Sequence, residues 1–85
     1  MSINNIFFLL TILVTASIQA QEININKANA KEIASNLEGI GIKKAKDIVQ
    51  YRIDNGDFKD IKELMKIKGI GDKTISKNEK NIRFK

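Results

Sequence analysis

Gly39-Ile40-Gly41, followed by Lys43 and Lys44, and Gly69-Ile70-Gly71, followed by Lys73 and Thr74, are the residues of this chain whose spacing could do chemistry. The chemistry would be anion capture. In each copy two glycines flank one apolar residue, which calls for a tight turn, because glycine alone reaches φ > 0 without steric cost. A helical pattern opens directly behind each turn. The first amides of a helix have no intrahelical acceptor and carry partial positive charge, so a phosphate oxygen fits there. Glycine lets the anion approach the main chain, and a lysine just inside the helix adds a charge-assisted contact. The same Gly, Ile, Gly and Lys recur from Gly39 to Gly69, which reads as an internal duplication. A plainer reading stands beside this one: Ile40 and Ile70 plug the core, the glycines allow close approach and the lysines are solvated. Ile40 and Ile70 are expected in the core on either reading.

Main-chain and lysine contacts of this kind hold a nucleic-acid backbone and carry no base information. Nothing in the chain looks like a recognition helix rich in Arg, Asn or Gln, so duplex binding with little sequence preference is expected. Asp72 suits the start of its helix but would repel a phosphate, so the first hairpin is expected to grip harder. The balance of 15 Lys/Arg against 10 Asp/Glu, formally +5, favours an anionic partner. With no cysteine there is no thiol nucleophile and no disulfide framework, and with no histidine the commonest metal ligand and usual general base are missing. The carboxylates Asp47, Asp54, Asp57, Asp60 and Glu63 follow helix-face and turn spacing, as caps or solvated charges. The chain is not expected to be an enzyme, and no metal, cofactor or small-molecule substrate is expected.

The elements that must position the two turns are read from caps and periodicity. Glu22 to Asn26 alternates polar and apolar residues, a short extended lead-in. Asn29-Ala30-Lys31-Glu32 has the spacing of a capping box, and the helix behind it offers Ile33, Ala34 and Leu37 to the core. The second helix runs from about Ile42 to Asn55, with Ala45, Ile48, Val49 and the stem of Arg52 on its inner face, and Asn55-Gly56 ends it. Asp60-Ile61-Lys62-Glu63 is a second capping box with Phe58 as a hydrophobic staple, opening a short helix with Ile61, Leu64 and Met65 inward. A last, weakly amphipathic helix runs from Asp72 to about Asn81. The linker from Gly56 to Asp60 is too short to separate two domains, so both halves share one core.

No charged side chain precedes Glu22. The apolar run Ile6 to Val14, the small residues behind it and Ala20 read as a signal peptide over 1–20, cut before Gln21, although no Lys or Arg precedes the run. The run is short for a membrane span. The alternative is an uncleaved anchor over residues 6–20.

The duplicated Gly-Ile-Gly-x-Lys resembles the helix-hairpin-helix motif of DNA-binding proteins. Glu22 to Lys85 as a whole is similar to the ComEA family of competence DNA-uptake proteins. The residues that carry the likeness are Ile25-Asn26, Asn29 to Ile33, Gly39-Ile40-Gly41, Lys43-Lys44-Ala45, Ile48, Tyr51-Arg52, Asn55-Gly56, Phe58, Leu64, Lys68 to Gly71, Lys73-Thr74, Lys77-Asn78 and Ile82. Where that family usually has Gly-Pro-Phe, this chain has Gly56-Asp57-Phe58. The resemblance implies an all-α fold: a tandem helix-hairpin-helix domain of four to five short helices over 21–85, behind the signal peptide. It implies a periplasmic or secreted protein that binds double-stranded DNA and holds incoming DNA during natural transformation, with DNA-uptake machinery proteins as further partners. The rival expectation is an exported scaffold whose hairpins contact protein.

Overall fold

The computed structural model describes residues 21–85, and the expected signal peptide over 1–20, with its anchor alternative, lies outside them. Helix α1 spans Ala30–Asn36 and begins as its sequence demands. The Asn29 side chain accepts from Glu32 N–H (2.8 Å), and the Glu32 carboxylate accepts from Asn29 N–H (3.0 Å), closing the capping box. Such a cap contributes about 1 kcal/mol. Ile33 and Leu37, one α-turn apart, are both buried.

Helix α2, Ile42–Asn55, buries Ala45 and Ile48, with Val49 half-buried beside them. Arg52 does more than pack its stem. Its guanidinium donates to Ile25 O and Ala28 O, both at 2.7 Å, and so fastens the lead-in to the longest helix. Gly56 stops the helix at φ 89°, ψ 176°, positive in φ as expected but extended in ψ, in place of a left-handed helical residue. Its N–H still bonds Arg52 O at 2.9 Å.

The second repeat departs from the first. Asp60 caps the chain by accepting from Glu63 N–H (3.0 Å), but Glu63 reaches back to Lys59 N–H (2.8 Å), one residue earlier than a regular box. Behind this cap, Ile61–Lys66 forms a 3₁₀ helix of six residues where α1 has seven. At 2.0 Å rise per residue, six 3₁₀ residues reach about 12 Å, against about 10.5 Å for seven α residues. The tighter helix thus makes good a missing residue. It also resets the inner face: with three residues per turn, Ile61, Leu64 and Ile67 align, Leu64 and Ile67 are buried, and Met65 turns outward, 38% exposed. Only an α-helical period would have placed Met65 inward, as the sequence led us to expect. Phe58 is buried and stacks on Tyr51, ring centroids 4.9 Å apart, so it packs into the shared core.

Helix α3 covers Asp72–Asn78 and tightens into a 3₁₀ turn over Glu79–Asn81. The chain then closes on its own beginning: β1, Ile23–Asn24, pairs in parallel with β2, Ile82–Arg83. This two-residue ladder is the one addition to an otherwise all-α fold among the described residues. The lead-in does not alternate in burial, since Ile23, Asn24 and Ile25 are all buried. Asn24 is tolerated there because its side chain accepts from Asn26 N–H at 2.9 Å. One cluster, from Ile23 to Ile82, joins both repeats into a single core. Two amide side chains lock it. Asn26 accepts from Phe58 N–H (2.7 Å) and donates to Phe58 O and Phe84 O (3.0 Å each). Asn78, 1% exposed, accepts from Glu38 N–H (2.7 Å) and donates to Glu38 O (2.7 Å) and Thr74 O (2.8 Å). Among the described residues no helix is long and apolar enough to cross a membrane.

Candidate nucleic-acid interface

Each hairpin is hung from two buried anchors. Leu37 and Ile40 hold the first turn, Ile67 and Ile70 the second, all 3–6% exposed. Ile40 and Ile70 can therefore offer a ligand only their main chain. Between the anchors, Gly39 takes φ +76° and Gly69 φ +92°, a region open to glycine at no cost. The second glycine of each turn has a different task. Gly41 (φ −78°, ψ −179°) and Gly71 (φ −122°, ψ −168°) are extended N-caps without a capping side chain, and a Cβ built on either meets nothing within 4 Å. Only the first glycine of each pair needs a positive φ, although the sequence offered both as turn formers.

The bare caps matter for electrostatics. The first bond of α2 runs from Ala45 N–H to Gly41 O (2.9 Å), so the amides of Ile42, Lys43 and Lys44 precede it and lack an intrahelical acceptor. In the second repeat the first bond is Ile75 N–H to Gly71 O (3.0 Å), leaving the amides of Asp72, Lys73 and Thr74 in the same position. A Ser, Asp or Asn cap would turn its oxygen onto such amides; glycine leaves them to solvent or to an anion. The two ends are unequal. Helix α2 has fourteen residues and no acidic residue in its first turn, whereas α3 has seven and begins with Asp72. Only the second turn thus leads into an acidic residue set against an anion, which is the ground on which the sequence expects the first to grip harder.

Lys43 reaches into solvent, its side chain 90% exposed, with Asp47 one turn on at 3.3 Å. So exposed a pair yields readily to a competing anion. Lys73 is exposed as well, while Lys44 and Thr74 are half-buried. The ten residues singled out in the sequence therefore come together at two adjacent turns: four glycines with open main chain, two isoleucines as plugs, and Lys43, Lys44, Lys73 and Thr74 around them. Four of the five carboxylates noted in the sequence sit as caps or helix-face partners. Asp47 meets Lys43, Asp54 accepts from Gln50 Nε2 (3.0 Å), and Asp60 and Glu63 cap the 3₁₀ helix.

Sequence reasoning missed Asn78 and Arg52 as the ties that hold the turns and lead-in in place. Both make contacts 24 to 40 residues away in the chain. For Asn78 one local signal existed, since a polar residue four after Thr74 can return a bond to its carbonyl.

Residues 18–83 match the family model described as the helix-hairpin-helix motif. A Haemophilus influenzae protein is 44% identical over 71 residues, 84% of this chain and 63% of its own. ComE operon protein 1 of Bacillus subtilis is 38% identical over 63 residues, 74% of this chain and 30% of its own. A kinesin-like protein of Xenopus laevis is 44% identical over 52 residues, 61% of this chain but 8% of its own. The chain thus spans less than two thirds of the length of each of these relatives. No solved structure matches the chain.

Proposed function

This chain belongs to the helix-hairpin-helix family and is ComEA-like, and from that premise we propose that it binds double-stranded DNA through its phosphates. The observation that carries the reading is the pair of adjacent Gly-Ile-Gly turns, each opening on bare helix amides with lysines beside them. These groups recognise phosphates, not base edges, so sequence preference is slight. The chemistry is binding and not catalysis. The expected signal segment and the likeness to ComE operon protein 1 support a place outside the cytoplasm, where the protein would hold incoming DNA during transformation beside the uptake machinery.

The test is a salt titration of the purified protein with random-sequence duplex, single-stranded DNA and hairpin RNA side by side. With about four to six phosphates contacted, log affinity for duplex falls with log salt at a slope of about −4 to −5, and scrambling the sequence changes little. A flat response, or a tenfold preference for one sequence, would overturn the reading. Intact mass of the exported fraction tests the location: a chain starting at Gln21 supports export with cleavage, and a membrane-held chain starting at Met1 supports the anchor.

A second reading, a protein-docking scaffold, has one observation in its favour. Ile42 and Ile53, 50% and 68% exposed, lie eleven residues apart on the same stripe of α2. A protein footprint on that stripe without salt-sensitive DNA binding would select it.

A further inference from the structure

The two turns stand close enough to exchange side chains. Lys44 leaves α2 behind the first turn and crosses to the second, where a Cβ on Gly69 would stand 2.8 Å from its Cε and 3.6 Å from its Nζ. The same ammonium lies 3.5 Å from Gly39 O, on the first turn. At the equivalent position of the second repeat, Thr74 makes the return crossing, with Oγ1 3.9 Å from the Cβ position of Gly39. The missing side chain at Gly69 thus serves twice, once for φ and once as the space through which Lys44 passes.

Three other cations flank the turns in sequence. Lys43 extends from the first and Lys68 and Lys73 flank the second, all exposed, while Glu38 and Asp72 set one carboxylate beside each turn. Lys44 alone of this set is half-buried and placed between both. A lysine whose stem already rests on the neighbouring turn loses little further freedom when its ammonium meets an anion.

We propose that Lys44 is a phosphate ligand shared by both hairpins, so that the two turns bind duplex DNA as one composite site. This rests on the duplex-binding reading above. Its consequence is that damage at Lys44 is felt at the second turn, although the residue belongs to the first repeat.

The experiment is a duplex titration of the ¹⁵N-labelled full chain, with the amides of Gly39, Gly41, Gly69 and Gly71 as reporters. Lys44→Met keeps an unbranched stem over Gly69 and removes the charge; Lys43→Met is the comparison, since Lys43 meets Asp47 on its own helix. Lys44→Met is expected to weaken binding about three- to tenfold, and to shrink the duplex-induced shifts at saturation of all four glycines. Lys43→Met should shrink those of Gly39 and Gly41 alone. If Lys44→Met leaves the shifts of Gly69 and Gly71 at their unsubstituted size, the shared ligand is wrong while duplex binding stands. If no glycine shifts in the unsubstituted chain at low salt, the duplex reading falls and this proposal with it.

Discussion

Gly41 occupies a position where Ser, Asp or Asn would stabilise α2, and its φ of −78° would accept any of them. A Cβ there meets nothing within 4 Å, so neither strain nor crowding keeps the site bare. Gly41→Ser should therefore raise stability by a few tenths of a kcal/mol, read in a urea melt, because the hydroxyl caps an amide of the first turn. The same hydroxyl competes with a phosphate for that amide, so duplex affinity should fall several-fold. A variant that gains stability and keeps full affinity would mean that these amides do not touch DNA. Lys43 and Lys73, by contrast, are exposed side chains at equivalent places, so replacing both by Glu should change stability by no more than about 0.5 kcal/mol. Affinity should fall far more than in Lys31→Glu with Lys80→Glu, the same charge change placed off the turns. Equal losses would leave net charge as the sole cause.

Between residues and fold, the 3₁₀ helix makes a distinct prediction. It spans cap to anchor with one residue fewer than α1, so its buried pair Leu64 and Ile67 stands at i, i+3 where Ile33 and Leu37 stand at i, i+4. Inserting one Ala after Met65 should let this segment become α-helical with the same two residues inward. Folding should remain cooperative and helical ellipticity should rise. An Ala inserted after Val49 in α2 should be far more damaging, because a turn of about 100° would carry Arg52 away from Ile25 O and Ala28 O. Loss of cooperativity in both insertions would refute the compensation between helix type and length. The same element marks the limit of legibility. Caps, hairpin plugs and the inner face of α2 were readable because they depend on neighbours within a turn or two. Periodicity, however, presumes a helix type, and a 3₁₀ period moved Met65 outward and Ile67 into line. The stem of Arg52 was legible on the inner face of α2, but its hydrogen bonds and those of Asn78 were not, because their partners lie 24 to 40 positions away, where no local pattern reaches. The candidate site was legible residue by residue, but not the crossing of Lys44, which exists only once the two repeats pack.

At the scale of the whole molecule, one core with two amide locks means that neither repeat is expected to fold alone. Asn78 holds both the N–H and the C=O of Glu38, and Asn26 does the same for Phe58. The parallel pairing of Ile23 with Ile82 and of Asn24 with Arg83 brings the described chain ends side by side. Topologically the domain is then nearly a ring, and which repeat comes first is a matter of where the ring is cut. A circular permutant that joins Lys85 to Gln21 through a short Gly-Ser linker and opens between Gly56 and Asp57 should melt cooperatively and bind duplex with little loss, its two repeats now in reversed order.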